Sequence, residues 1–439
     1  MGLIFDRMGV VVQIRKILQL ALPVMAENFL QMLMGMVDGY LVAFLGLATI
    51  SGVSVANNIL SIYQAIFLAL GAAISALVAQ KYGQKDQEQL AGQAGQALFL
   101  TLLVSLVLGL LSIVGGDRLL LLLGTDADVA RVGGLYLALV GGGILFLGLM
   151  TSLGSILRAS GHAQLPMYVS LLSNVINVVL SAVFVFIFKG GVVGVAIGTL
   201  LARALAVAIL WQQLPIKPDK LFFNIHRDLV ELALPATGER LMMRAGDVVI
   251  VALIVSLGTA VVAGNAIGET LTQFNYMPGM GIATATVILV ANARGQGKEE
   301  EVAAIIRWSF LLALGLMVVT SCLIFFLGPW LTGFYTTDQV AIKASLLVTL
   351  YSFLGLPATA GTLIYTAFWQ GYGNAKLPFY ATSLGMWVVR IGLGYVLTRV
   401  WFLGLAGVCI ATIADNVFRW AFLYFLSLRK FKISLREKL

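Results

Sequence analysis

Charge, cysteine and histidine are all scarce in this chain: of 439 residues 11% are charged, 2 are cysteine and 2 are histidine. A soluble domain carries about 25% charged residues. The low fraction here, beside 60% apolar residues, excludes an ordinary soluble enzyme and puts the chain in a bilayer. Cys322 and Cys409 stand alone in apolar runs, without the CxxC or Cys/His spacing of a zinc site or a disulfide framework, and read as buried, inert thiols. His162 and His226 fall between apolar runs with no acid and nucleophile beside them, and read as solvated loop residues. There is no GxxxxGK[ST]: GQGKEE at Gly295 lacks the hydroxyl residue after Lys298, so the energy source is expected to be an ion gradient rather than nucleotide hydrolysis. No secretory signal is evident, because the first apolar run after Lys16 is too long and has no cleavage pattern. No cofactor is implied. The net charge of +8 is dispersed among apolar spans, which points to membrane topology and not to nucleic acid.

What the chain does have is an internal repeat. At an offset of 212 residues ALPVMAENFLQ from Ala21 faces ALPATGERLMM from Ala233, VAQKYGQK at Val78 faces VANARGQG at Val290, and GHAQLPMY at Gly161 faces GNAKLPFY at Gly373. A slip of one residue then aligns GVAIGT at Gly194 with GVCIAT at Gly407. Repeats in a strongly apolar chain mark transporters that rock two lobes about a shared cavity.

Apolar stretches long enough to cross about 30 Å of hydrocarbon lie near 17–47, 50–80, 91–115, 128–158, 164–188 and 191–212, and again near 228–257, 262–293, 303–327, 340–369, 378–400 and 403–427. The expected fold is an all-α membrane protein of twelve transmembrane helices in two homologous six-helix lobes. An even number of spans per half sets the pseudo-twofold along the membrane normal. The organisation reads as a first lobe over 1–212, a linker over 213–227 carrying Pro215 and Pro218, and a second lobe with a basic tail over 228–439. Sixteen basic residues fall on one face, among them Arg15, Lys16, Lys81, Lys85, Arg158, Lys217, Lys220 and the tail from Arg429 to Lys438; the other face has five, Arg118, Arg131, Lys189, Lys343 and Arg399. That bias places both termini and the linker in the cytoplasm. Pro23 and Pro235 sit at matching places in the first span of each half, whereas Pro278 and Pro357 have no partner, so the second lobe is expected to be the more irregular.

Ionisable groups inside spans are the informative minority, since a charge in hydrocarbon persists mainly where it faces a cavity or a partner. Asp38, in LMGMVDGYLVAF, has no basic neighbour in sequence and can exchange a proton or hold a monovalent cation with help from neutral oxygens. Asn174, Asn177 and Ser181 share one face of the fifth span, and Thr199 and Arg203 share a face of the sixth. The plainer readings are that Asn and Thr only bond helices together and that Asp38 is an ion pair with Arg203. The second lobe carries Glu239, Arg240, Arg244 and Asp247, then Glu269, Arg390, Asp415 and Arg419. Arg244 to Asp247 and Asp415 to Arg419 have helical pair spacing and can neutralise each other; the sharper reading is a substrate or gating site. At the 212 offset Ile250 and Val389 stand where the first lobe has Asp38 and Asn177, so the ion chemistry is not duplicated. Met25, Met32, Met34, Met36, Met242, Met243, Met277 and Met280 crowd the paired spans and suit a wall that fits ligands of several shapes. Tyr40, Phe274, Tyr276 and Trp369 can add aromatic faces for cations.

These features together resemble a multidrug and toxic compound extrusion (MATE) transporter over essentially the whole chain. The features that carry the resemblance are LPVMAENFLQMLMGMVDGYLVAFLG, VAQKYGQKD with VANARGQGK, and ILRASGHAQLP with AFWQGYGNAKLP. The chain is more similar to the DinF-like than to the NorM branch, because the acids that NorM-type members use in helices 7 and 10 are not evident, Thr359 standing at the helix 10 position. The resemblance implies a two-lobed antiporter in the plasma membrane that expels lipophilic, often cationic compounds while protons or sodium ions flow inward. It places the ion network on Asp38, Asn177 and Thr199, and a second family aspartate on Ser181, which leaves one carboxylate and favours protons over sodium. Pro23 matches the family proline at which helix 1 bends and is the candidate hinge. An exporter or flippase of a lipid-linked or anionic metabolite is the alternative, motivated by Arg240, Arg244, Arg390 and Arg419. A small-molecule substrate and the bilayer are the expected partners, and the monomer is the expected state.

Overall fold

The computed structural model describes residues 2–215, 217 and 227–437. Pro218, Lys220, His226 and Lys438, with most of the expected linker, lie outside the described residues. Every regular element among the described residues is helical. Pro23–Ala233 form one compact unit; Leu234–Leu439 group with Met1–Leu22 in the other.

In the first unit α1 (Gly2–Ala43, which begins in the other unit), α2 (Leu47–Gln84) and α3 (Gln87–Leu122) are followed by a broken span, α4 (Ala127–Tyr136) with a π-helical turn at Leu137–Gly141 and then α5 (Ile144–Ala159). Next come α6 (Gln164–Ala182), whose end passes into a π-helical turn at Val183–Ile187, and α7 (Gly191–Gln212). The second unit repeats the order with α8 (Arg227–Val255), α9 (Thr259–Gly295), α10 (Glu299–Tyr335), the broken pair α11 (Gln339–Leu354) and α12 (Leu356–Gly371), α13 (Lys376–Leu384) continued by π-helical segments at Gly385–Leu393 and Val396–Val400, and α14 (Leu405–Glu437). Among the described residues nine helices are long and apolar enough to cross a membrane, or eleven when each bent pair is one span. α8 has the length but is not among them, because it carries Glu239, Arg240, Arg244 and Asp247.

Glycine, more than proline, marks the irregularities. α1 runs through Pro23, α8 through Pro235 and α9 through Pro278 without a break. The two bends lie at Gly143, 42°, and at Gly355, 59°, residues 212 apart. Pro357 follows the second bend in the first turn of α12, where its missing N–H costs no helical bond; nothing but glycine marks the first. The second lobe is therefore not the only irregular one, because the bend belongs to the repeat. Backbone conformation repeats as well: Gly46 and Gly258 start α2 and α9 at φ +100° and +109°, and Gly161 and Gly373 both take φ +89°, a region that only glycine enters freely.

The one-residue slip in the repeat has a structural cause. α6 and α13 start in step at the 212 offset, while the π-helical turns Val183–Ile187 and Val396–Val400 stand 213 apart. Between these points the second unit has the nine-residue π-helical segment Gly385–Leu393 where the first has α-helix. A π-helix accommodates an extra residue in a helix without breaking it. The inserted residue therefore lies in that segment, and it changes which side chain reaches the middle of the lobe.

Candidate functional site

In the first unit the side chains of α1, α6 and α7 converge on Asn177. Its Nδ2 donates to Asp38 Oδ1 and Oδ2 at 3.5 and 3.4 Å. Its Oδ1 accepts from Ser181 Oγ at 3.0 Å and from Thr199 Oγ1 at 3.3 Å, and Thr199 also donates to the Val195 carbonyl at 3.0 Å. Asn177, Ser181 and Thr199 are buried and Asp38 is half-buried. The helical spacing of Asn177 and Ser181 stacks them one turn apart on the face that α7 covers. Arg203 acts electrostatically on Asp38, and Asp38 on Tyr136, yet no ion pair within 4.0 Å joins Asp38 to Arg203 among the described residues. The carboxylate is held by a neutral amide. Arg203 Nη1 and Asn174 Nδ2 are buried without a hydrogen-bond partner. Tyr136, buried at the end of α4 beside this group, carries no signal in the sequence that sets it apart from other span tyrosines.

A second polar contact in this unit joins residues 131 apart in the sequence. Arg158 Nη1 pairs with Glu27 Oε2 at 2.8 Å. Arg158 is buried in the last turn of α5, where Glu27 of α1 neutralises it. Only alignment of the two halves singles the pair out: in the second unit the equivalent residues Glu239 and Gln370 meet at 3.2 Å through the amide, and Thr382 Oγ1 donates to the other carboxylate oxygen at 3.2 Å.

Asp415 with Arg419 and Asp247 with Arg390 form two further groups in the second unit. Arg419 Nη2 donates to Asp415 Oδ2 and to Asn416 Oδ1, each at 2.9 Å. Arg390 Nη1 donates to Asp247 Oδ1 at 3.4 Å and its Nε to Thr412 Oγ1 at 3.1 Å. Asp247 therefore pairs across to the π-helical segment rather than with Arg244 three residues away; Arg244 is exposed. Glu269 accepts from Asn265 at 3.1 Å, and Thr359 is occupied by the Gly355 carbonyl at 3.1 Å. Trp369 is buried with its Nε1 on the Leu423 carbonyl at 3.2 Å, so it offers no open aromatic face. Tyr40 is exposed and packs edge-on against Phe44. Cys322 and Cys409 are free and half-buried rather than fully enclosed. Among the described residues no group of three or more His, Cys, Asp or Glu side chains is placed to hold a metal ion.

The first unit thus holds a half-buried carboxylate, Asp38, on the neutral amide of Asn177 in a twofold-repeated helical bundle. Residues 23–183 and 235–396, one stretch in each half, match the MatE family model, and the chain belongs to that family of multi-pass membrane transporters. It is 26% identical over 437 residues to the probable multidrug resistance protein NorM of Thermotoga maritima, covering 94% of this chain and 93% of that protein. It is 24% identical to the uncharacterized transporter YisQ of Bacillus subtilis, over 92% and 91% of the two chains. A MOP superfamily transporter from Pyrococcus furiosus has the same fold, with a TM-score of 0.88 at 22% identity over 95% of this chain and 96% of that one.

Proposed function

We propose that the chain is an ion-coupled antiporter of the plasma membrane that exports amphipathic, often cationic organic compounds, with protons as the coupling ion and Asp38 as the group that carries them. The observation that supports this reading most is the contact of Asp38 with the Nδ2 of Asn177 and with no cationic partner at pairing distance. A carboxyl so placed can gain or lose a proton without breaking a salt bridge. Protonation removes its attraction for the amide, which loosens α1 from α6 and α7 and biases α1 toward a bent state. Orientation of Asn177 favours protons over sodium: its oxygen is taken by Ser181 and Thr199, and its nitrogen faces the carboxylate. Sodium wants several oxygen ligands at one point.

The functional lobes in this reading are residues 1–212 and 228–439, joined by a cytoplasmic linker, with both termini cytoplasmic and the monomer as the working unit. The alternative, an exporter of anionic metabolites, draws on the second-lobe arginines; two of the four, Arg390 and Arg419, are engaged by Asp247 and Asp415, which favours the cationic reading. The deciding experiment is uptake of a fluorescent lipophilic cation into proteoliposomes under an imposed proton or sodium gradient. Uptake driven by protons and lost in Asp38→Asn is expected; equal uptake in the mutant would overturn the assignment of Asp38.

A further inference from the structure

Because the extra residue of the second half lies in Gly385–Leu393, side chains beyond it follow the 213 offset. Thr199 then corresponds to Thr412, and Asn177 to Arg390 rather than to Val389. The contacts agree. Thr199 Oγ1 donates to Asn177 and to the Val195 carbonyl at 3.0 Å; Thr412 Oγ1 accepts from Arg390 Nε at 3.1 Å and donates to the Val408 carbonyl, again at 3.0 Å. The third member has moved by one helical turn. At the Asp38 station the second unit has Ile250, packed in an apolar cluster with Ile254 and Val408, and the carboxylate is that of Asp247, three residues earlier. The second lobe thus holds a counterpart of the first-lobe site in which an arginine replaces the amide.

This exchange changes what the site can take. In the first lobe the carboxylate has a neutral partner and is free for a small ion. In the second the carboxylate already has a cation, one tethered to its own helix bundle. The pair is long at 3.4 Å, and the Asp247 side chain is 41% exposed against 16% for Arg390, so one side of the carboxylate is uncovered. A charge exposed within a span faces water or a ligand rather than lipid. The neighbouring pair Asp415 and Arg419 is buried and closed on itself at 2.9 Å, which leaves Asp247 as the acid of this group that a ligand can reach.

We propose that Asp247 is the counter-ion for an organic cation, a quaternary or protonated amine or phosphonium, and that Arg390 is its built-in competitor, holding the carboxylate when no ligand is bound and yielding it to the incoming cation. The inference deepens the function proposed above and rests on it for the class of substrate. Ion coupling belongs to the first lobe and charge recognition to the second.

Equilibrium binding of radiolabelled tetraphenylphosphonium to the purified full-length protein in nanodiscs tests the assignment. Asp247→Asn should weaken binding about tenfold or more and Asp247→Glu should restore most of it, tenfold being ~1.4 kcal/mol. Arg390→Gln, which recreates an amide at this station, should tighten binding several-fold, an effect that a merely structural arginine would not give. Weaker binding in Arg390→Gln, or unchanged binding in Asp247→Asn, would overturn the proposal while leaving the role of Asp38 intact, because Asp38→Asn is read separately as loss of proton-driven uptake. No saturable binding to the wild type would overturn this inference and the cationic substrate class together.

Discussion

Glu27 and Arg158 meet at 2.8 Å in the first unit, and their repeat equivalents Glu239 and Gln370 meet at 3.2 Å in the second. The geometry of the contact between the first helix of each half and the helix after the bend has been kept, while its charge has not. In one half a full ion pair ties the helices. In the other a carboxylate is shared between an amide and the Thr382 hydroxyl.

Arg158→Ala should therefore be costly, since it leaves the half-buried Glu27 carboxylate without a partner; the loss should approach the lower end of the ~3–5 kcal/mol of a fully buried pair. Arg158→Gln should cost distinctly less, because the second unit shows that an amide fits this contact. Thermal unfolding of the two variants in the same detergent checks the order.

Thr199→Val and Ser181→Ala each remove one hydroxyl donor from Asn177 Oδ1, a loss of about 0.5–1.5 kcal/mol in hydrogen-bond terms. The folded protein should survive either change. Asn177 is then free to turn, and proton-driven uptake should fall in both variants while substrate binding at equilibrium stays within about twofold. Uptake rates beside tetraphenylphosphonium binding separate the two effects.

Gly385→Ala should disrupt the second unit. A Cβ at this position would collide with Asp415 Oδ1 and come within 2.8 Å of Arg419 Cγ, so the buried pair must shift. Overpacking of this kind costs about 1–3 kcal/mol. Gly392→Ala, in the same π-helical segment but with nothing within 4 Å, should be close to neutral and is the control. Melting temperature and expression level of the two variants give the comparison.

Pro23 lies where the contact pattern passes from one compact unit to the other, and it is buried in a helix that runs straight through it. If that missing hydrogen bond lets α1 bend during transport, Pro23→Ala should slow turnover several-fold while leaving substrate binding nearly unchanged. A matched loss of both would assign the proline to the binding site instead.

The sequence by itself determined the helices, the twofold repeat and the membrane setting. Hydrophobic length and low charge depend on composition along the chain, and the bilayer reads them span by span. Spans expected over 164–188, 191–212 and 378–400 agree closely with the helices that formed. Asp38, Asn177, Ser181 and Thr199 were legible for a similar reason, since each is a polar residue in an apolar run and needs a partner. Tertiary structure decided which partners they found. Asp247 passes over Arg244 on its own helix for Arg390 on another, Arg158 turns inward to Glu27, and Tyr136 joins the Asp38 group from a distant span. Side chains far apart in the chain meet only after helices pack, and a single inserted residue, absorbed in a π-helical segment, moves every side chain after it one place along the repeat. That insertion puts Arg390 at the station of Asn177, which the 212 offset, laying Val389 there, could not show.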